Sequence, residues 1–141
     1  MSQENVKIVR RLQDAMNRRD WSTILELFDP NIEVDLSRNV FNPGIYRGHS
    51  GLERWAAVVE DVWEDFQGVF EELIETGDKV VTATSLRGKG RKSGVEVEMR
   101  LFSIWTLRDS RVVRLAGGYR DRSEALEAVG LSEQDAHADS P

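Results

Sequence analysis

Between residues 68 and 119 the hydrophobic spacing changes from helical to alternating and does not change back, which restricts the fold more than any other feature of the chain. Strands are predicted near 69–76, 79–88, 94–107 and 111–119. They are punctuated by Gly77-Asp78, by the glycine-rich basic stretch 88–94 and by Arg108-Asp109-Ser110. Connections this short join neighbouring strands that run antiparallel. A meander of this size needs apolar cover on at least one face, and the remaining sequence must supply it.

The cover is predicted to be helical. Val6, Val9, Leu12 and Met16, with Ile8 and Ala15 beside them, recur at helical spacing among charged residues, giving an amphipathic helix over about 3–19. Asp20 caps a second helix with Trp21, Ile24, Leu25 and Phe28 on one face, which Asp29-Pro30 stops. Ile32-Glu33-Val34-Asp35-Leu36 alternates and reads as a strand with both carboxylates on one face. Residues 37–48 read as a loop of roughly ten residues, long enough to suggest function. A third helix follows, with Ser50 and Glu53 as a capping box and one stripe formed by Leu52, Trp55, Ala56, Val59, Val62, Trp63 and Phe66. After the strands, Asp121 and Glu124 start a short helix with Leu126 and Val129 inward, closed by Gly130-Leu131. The domain is predicted over 1–131, followed by a polar, disordered tail over 132–141. The class is α+β, with a mostly antiparallel sheet.

Composition removes several chemistries. The 141 residues include no Cys and only two His, so thiol nucleophiles, zinc-thiolate sites and multi-histidine metal centres have nothing to be built from. His137 sits in the polar tail, which leaves His49 as the one histidine in an ordered region. With 19 basic against 25 acidic side chains the net charge is −6, which argues against a phosphate-driven affinity for nucleic acid. The basic run from Arg87 to Lys92 lies at a hairpin tip, lacks interleaved aromatics and reads as a solvated turn. The acidic pairs Glu33/Asp35 and Glu96/Glu98 have no histidine or acidic glycine loop nearby, so no metal is expected, and no nucleotide-binding glycine motif occurs. No stretch approaches the ~20 apolar residues that span a bilayer, and no export signal is read. A cytoplasmic protein without a cofactor is expected.

Five segments taken in order resemble one family. They are Arg19-Asp20-Trp21; Phe28-Asp29-Pro30 with Ile32-Glu33-Val34-Asp35; Tyr46-Arg47-Gly48-His49 with Gly51-Leu52; Trp105-Thr106-Leu107-Arg108-Asp109; and Asp121-Arg122 with Glu124 to Ala128 and Gly130-Leu131. This pattern resembles the SnoaL-like, polyketide cyclase-type family of the nuclear transport factor 2-like superfamily. The resemblance implies a cone-shaped α+β barrel, a curved sheet closed by three N-terminal helices and a short C-terminal one. It implies no single activity, because the superfamily holds isomerases, cyclases, dehydratases, epoxide hydrolases and members that only bind or dimerise.

The resemblance also implies site residues. It places Asp35 where ketosteroid isomerases of the superfamily carry their proton-shuttling aspartate, facing into the cone. A carboxylate at the mouth of an apolar cavity has its charged form desolvated, which raises its pKa and lets it exchange protons. The competing expectation is that Asp35 and Glu33 form an exposed acidic pair. Leu12 and Ser103 stand at the positions that match the isomerase's oxyanion-binding tyrosine and acid, so the dienolate stabilisation of that enzyme is not expected. Alternation through Ser103 puts Val97, Met99, Leu101, Trp105 and Leu107 on the cone face, and Glu96, Glu98, Arg100, Phe102, Ile104 and Thr106 on the other. The mixed character of that second face predicts a homodimer through the outer sheet. The helices contribute Leu12, Met16, Trp55, Val59 and Phe66 to the expected lining, and the loop contributes Tyr46. Tyr119 is a candidate whose face depends on whether Gly117-Gly118 forms a bulge. His49, beside the loop, is a candidate second proton-transfer group, with a surface role as the alternative.

Two functions follow. One is a cofactor-independent isomerase, cyclase or lyase acting on a small apolar, carbonyl-bearing metabolite, with Asp35 as general acid/base. The other is a ligand-binding or dimerisation domain of the same fold without catalysis.

Overall fold

The computed structural model describes residues 3–40 and 42–134. His137 and the end of the polar tail lie outside the described residues. Helix α1 (Glu4–Arg18) buries Val6, Val9, Leu12 and Ala15 along one face. Arg19 takes a left-handed conformation at its C-terminus, φ 60°, and turns the chain sharply. That turn brings Asp20 to the start of α2 (Trp21–Leu27), where its carboxylate accepts a hydrogen bond from the Thr23 N–H at 3.3 Å.

Helix α2 ends earlier than the proline suggests, and strand β1 (Phe28–Asp35) begins at once. Phe28 pairs with Val112, and the register then shifts before Glu33 pairs with Arg114. Pro30 falls inside that irregularity, where no ladder N–H is required, so the strand tolerates it. The predicted loop contains a short strand, β2 (Ile45–Arg47), antiparallel to β1. Three residues are too few to show a period, which is why the sequence pattern misses it.

Helix α3 (Gly48–Val62) starts after Arg47 with no side-chain cap, so the Ser50/Glu53 capping box does not form. It also ends four residues before Phe66. Trp63 is extended, and β3 (Trp63–Thr76) runs from there. Asp65 at φ 53° sits in a ladder irregularity between Glu64 and Gln67, and this bulge sets the direction of Phe66. The hydrophobic stripe continues across the helix-to-strand junction because both elements face the same space.

The remaining strands are β4 (Lys79–Gly90), β5 (Glu96–Arg108) and β6 (Arg111–Tyr119), followed by α4 (Arg122–Ala128). The sheet order is β2-β1-β6-β5-β4-β3, antiparallel throughout except for the parallel β1–β6 pair. Asp109 and Ser110 both adopt positive φ in the β5–β6 turn, the geometry that matches strand twist in a two-residue hairpin.

Two cores lie on opposite faces of the sheet. On the inner face α1, α2 and Leu52 of α3 pack against Phe28, Ile32, Val34, Trp105 and Leu115. On the outer face Ala125 and Leu126 of α4 pack on Ile74, Val81, Phe102, Ile104 and Tyr119. Phe102 and Ile104 are therefore buried by α4 of the same chain, so those two residues carry no argument for a partner subunit. Helix α4 is held at its start by Asp121, which accepts from the Ser123 N–H at 2.9 Å. At its end the Leu131 N–H reaches the Leu126 carbonyl around a left-handed Gly130. Leu126→Ala is expected to destabilise the fold by about 2–5 kcal/mol, measured as a shift in the urea unfolding midpoint.

Candidate functional site

The inner layer does not fill the space in front of the sheet. It leaves a cavity of about 470 Å³ between the helices and strands β3 to β6. Helix α3 shows this directly. Its apolar stripe is only half-buried at Trp55, Ala56 and Val59, because that face looks into the cavity and not onto the sheet. All four tryptophans of the chain, Trp21, Trp55, Trp63 and Trp105, line the space together with Phe28 and Phe66.

Trp105 forms a rigid part of the wall. Its indole N–H donates to the Thr82 hydroxyl at 3.0 Å, and its ring stacks on Phe28 and meets Phe70 edge-on. Strand parity brings Met99, Leu101 and Ser103 to the same face, and Thr84 and Leu86 join them from β4. Asn17 of α1 spends its amide on β3, donating to the Gly68 carbonyl at 2.8 Å and accepting from its N–H at 3.0 Å. The Ser103 and Thr84 hydroxyls make no side-chain hydrogen bond among the described residues. Asn39 Oδ1, also at the cavity, is buried and without a hydrogen-bond partner there.

A bulge opposite Ser103 shapes the cavity's edge. Phe102 pairs with Tyr119 and Ile104 with Ala116, so Gly117 and Gly118 together oppose one residue. A Cβ on Gly117 would stand 3.3 Å from Ser103 Oγ, and one on Gly118, whose φ is +85°, would stand 2.9 Å from the Asn39 N. Only glycines admit the loop after β1 this closely.

Of the residues proposed from sequence, Met16, Trp55, Val59, Phe66, Met99, Leu101, Ser103 and Trp105 line the cavity. Four others do not, each for an identifiable reason. Leu12 is fully buried in the inner core, one turn before Met16. Tyr46 packs between α3 and the core at the start of the helix, with Arg54 over its ring. Tyr119 is turned to the outer core by the glycine bulge, where Arg38 stacks over it at 4.3 Å. His49 Nε2 donates to the Phe28 carbonyl at 2.9 Å, at the point where β1 leaves its ladder. That bond fastens α3 to β1 and places the ring away from the cavity lining.

Asp35 also requires correction. Val34 and Leu36 face inward, so alternation sends Asp35 outward with Glu33. There it pairs with Arg114 at 3.0 Å, while Arg114 and Arg47 both contact Glu33. The Ser37 hydroxyl and backbone N–H donate to its carboxylate at 2.6 and 3.0 Å and, with Arg114, hold its pKa below the ordinary 3.8. The expected environment, a desolvated carboxyl with a raised pKa, is the opposite of the one observed. The carboxylate that does reach the cavity is Glu60, tied at 2.7 Å to Arg19.

Sequence reasoning passed over Trp21, Phe28, Trp63, Asn39, Arg38 and Arg120, all on the cavity. The tryptophans offered a signal, since Trp21 and Trp63 stand at element junctions where the inner layer opens. The loop residues offered none, because their placement depends on the β6 bulge. Among the described residues no group of three or more His, Asp or Glu side chains is arranged to hold a metal ion. No helix there is long and apolar enough to cross a membrane.

Residues 9–115 match the SnoaL-like domain family, and the chain belongs to that family. No curated protein gives a significant sequence match. Among solved structures the chain is similar to a nuclear transport factor 2-like protein of unknown function from Burkholderia pseudomallei. The two share 21% identity at a TM-score of 0.74, over 92% of this chain and 99% of that one. It is also similar to a putative SnoaL-like polyketide cyclase from Jannaschia sp., with 22% identity and a TM-score of 0.70, over 81% and 83% of the two chains. A third is TerC, co-crystallised with polyporic acid, with 23% identity and a TM-score of 0.71, over 81% and 89%. At these identities the similarity establishes the α+β nuclear transport factor 2-like fold.

Because the pKa of Asp35 is lowered on folding, its contribution to stability is present above the unfolded-state pKa and is lost as pH falls through the folded-state value. Asp35→Asn is expected to be less stable at neutral pH and to show a flatter decline as pH falls from about 5 to about 2. Urea midpoints measured across that range for both proteins provide the check.

Proposed function

We propose that this SnoaL-like chain binds a small, flat, largely apolar metabolite bearing carbonyl or hydroxyl oxygen in the cavity between its helices and its sheet. The observation that carries the proposal is the wall itself. Tryptophan and phenylalanine rings surround a space of about 470 Å³, and Ser103 and Thr84 line it with hydroxyls that have no hydrogen-bond partner among the described residues. Aromatic walls suit a planar apolar body through offset stacking, and a few free hydroxyls orient its oxygens. The co-crystallisation of TerC with polyporic acid supports small-molecule binding as a use of this fold.

Proton transfer by Asp35 is not part of the proposal, since its carboxylate is paired with Arg114 on the other face of the sheet. Ser103 is the group proposed to polarise a bound oxygen, as a single neutral donor. Helix α3 is proposed as the face that a ligand covers, completing the burial of Trp55 and Val59.

The four tryptophans make the test direct. Titration with the neutral probe anthraquinone-2-carboxamide is expected to quench intrinsic fluorescence saturably. Leu101→Trp, which fills the cavity, should weaken binding at least tenfold while leaving the far-ultraviolet circular dichroism unchanged. Asp35→Asn should leave affinity within about twofold of the parent. Quenching that does not saturate, or that Leu101→Trp leaves intact, would overturn the reading.

A further inference from the structure

Charges around the cavity are not balanced. Its lining includes three arginines, Arg19, Arg38 and Arg120, against one carboxylate, Glu60, although the chain as a whole carries a net charge of −6. Arg19 is accounted for by its ion pair with Glu60. Arg38 and Arg120 form no ion pair within 4.0 Å among the described residues, and both lie where the loop after β1 meets the end of β6.

The position of Arg38 is held by the fold. The Arg38 guanidinium lies 4.3 Å above the Tyr119 ring, and that ring is fixed in the outer core by the glycine bulge. Stacking of this kind orients the guanidinium and leaves its in-plane N–H groups free to donate. Asp121 and Glu124 line a depression with the two arginines and Gly118 and offset part of their charge at a distance, but among the described residues neither forms an ion pair with them within 4.0 Å, so the guanidinium N–H groups are not taken up by a carboxylate. Asp35 acts on Arg38 only as a weak, more distant charge, its own close partners being Ser37 and Arg114.

Resting on the binding reading above, we infer that the ligand is an anion: a flat apolar body among the tryptophans, with a carboxylate or comparably acidic oxygen at the mouth, held by Arg38 and Arg120. The arrangement is divided by chemistry. Hydrocarbon surface meets rings in the interior, and the charged end stays at the partly solvated mouth, where a forked guanidinium matches a carboxylate and desolvation is incomplete. Positive charge at the entrance of a low-dielectric cavity also concentrates anions there, against the repulsion of an acidic protein.

The experiment compares anthraquinone-2-carboxylate with its neutral isostere, anthraquinone-2-carboxamide, by calorimetry on the full chain. The carboxylate is expected to bind at least tenfold more tightly, and raising the salt concentration should weaken it alone. In the double variant Arg38→Gln/Arg120→Gln the two probes should differ by no more than about twofold, whereas Arg38→Lys/Arg120→Lys should keep a preference for the carboxylate. Far-ultraviolet circular dichroism and the urea midpoint of each variant serve as the fold control, because Arg38 stacks on Tyr119. Equal affinity of the two probes for the parent protein, or a preference that survives the double glutamine variant, would overturn the anionic assignment and leave the binding reading standing. Absence of binding by both probes would overturn the two together.

Discussion

Trp105 is held on three sides by residues distant in sequence: Phe28 stacks on it, Phe70 meets its edge, and Thr82 takes its indole proton. These contacts tie β5 to β1, β3 and β4 and settle which face of the sheet looks toward the helices. With that parity established, Met99, Leu101 and Ser103 point into the cavity and Phe102 and Ile104 point toward α4. The helical layer packs on the sheet through α1, α2 and the start of α3, where Leu52 is buried, while Trp55, Ala56 and Val59 further along α3 look into open space. The cavity is the space left between them, and its rigid wall is the part of the core around Trp105.

The two faces carry different electrostatics. Outside, acids and bases are paired: Arg114 with Glu33 and Asp35, Arg122 with Glu72 and Glu133, and Arg100 with Glu71. Pairs of this kind at the surface contribute little to stability but consume the charges available for chemistry. The cavity lining is mostly apolar or neutral, its Glu60 is paired with Arg19, and Arg38 and Arg120 form no ion pair within 4.0 Å among the described residues.

Much of the architecture was legible in the sequence because it depends on local periodicity. The meander, the helices and the turn at Asp109-Ser110 follow from alternation, helical spacing and turn chemistry, and of the β5 residues assigned to the cone face Met99, Leu101, Ser103 and Trp105 line the cavity, whereas Leu107 is buried in the inner core and Val97 does not line it. Asp35 shows where two lines of reasoning conflicted. Alternation in Ile32-Glu33-Val34-Asp35-Leu36 already grouped it with Glu33, opposite Val34, while the family resemblance pointed it inward; the backbone parity prevailed. The helical assignment of Trp63 and Phe66 failed for a different reason, since one apolar stripe served a helix and the strand after it, and no spacing rule marks the junction at Trp63.

The sequence by itself determined the order and type of nearly all elements, the acidic balance and the absence of thiol chemistry, because each of these is local or additive. Tertiary structure alone decided what the residues do. The bulge at Gly117-Gly118 turned Tyr119 outward and drew in the loop that carries Arg38 and Asn39, and α4 covered Phe102 and Ile104 on the outer face. Both outcomes depend on register and on contacts between distant segments, which a one-dimensional pattern does not encode.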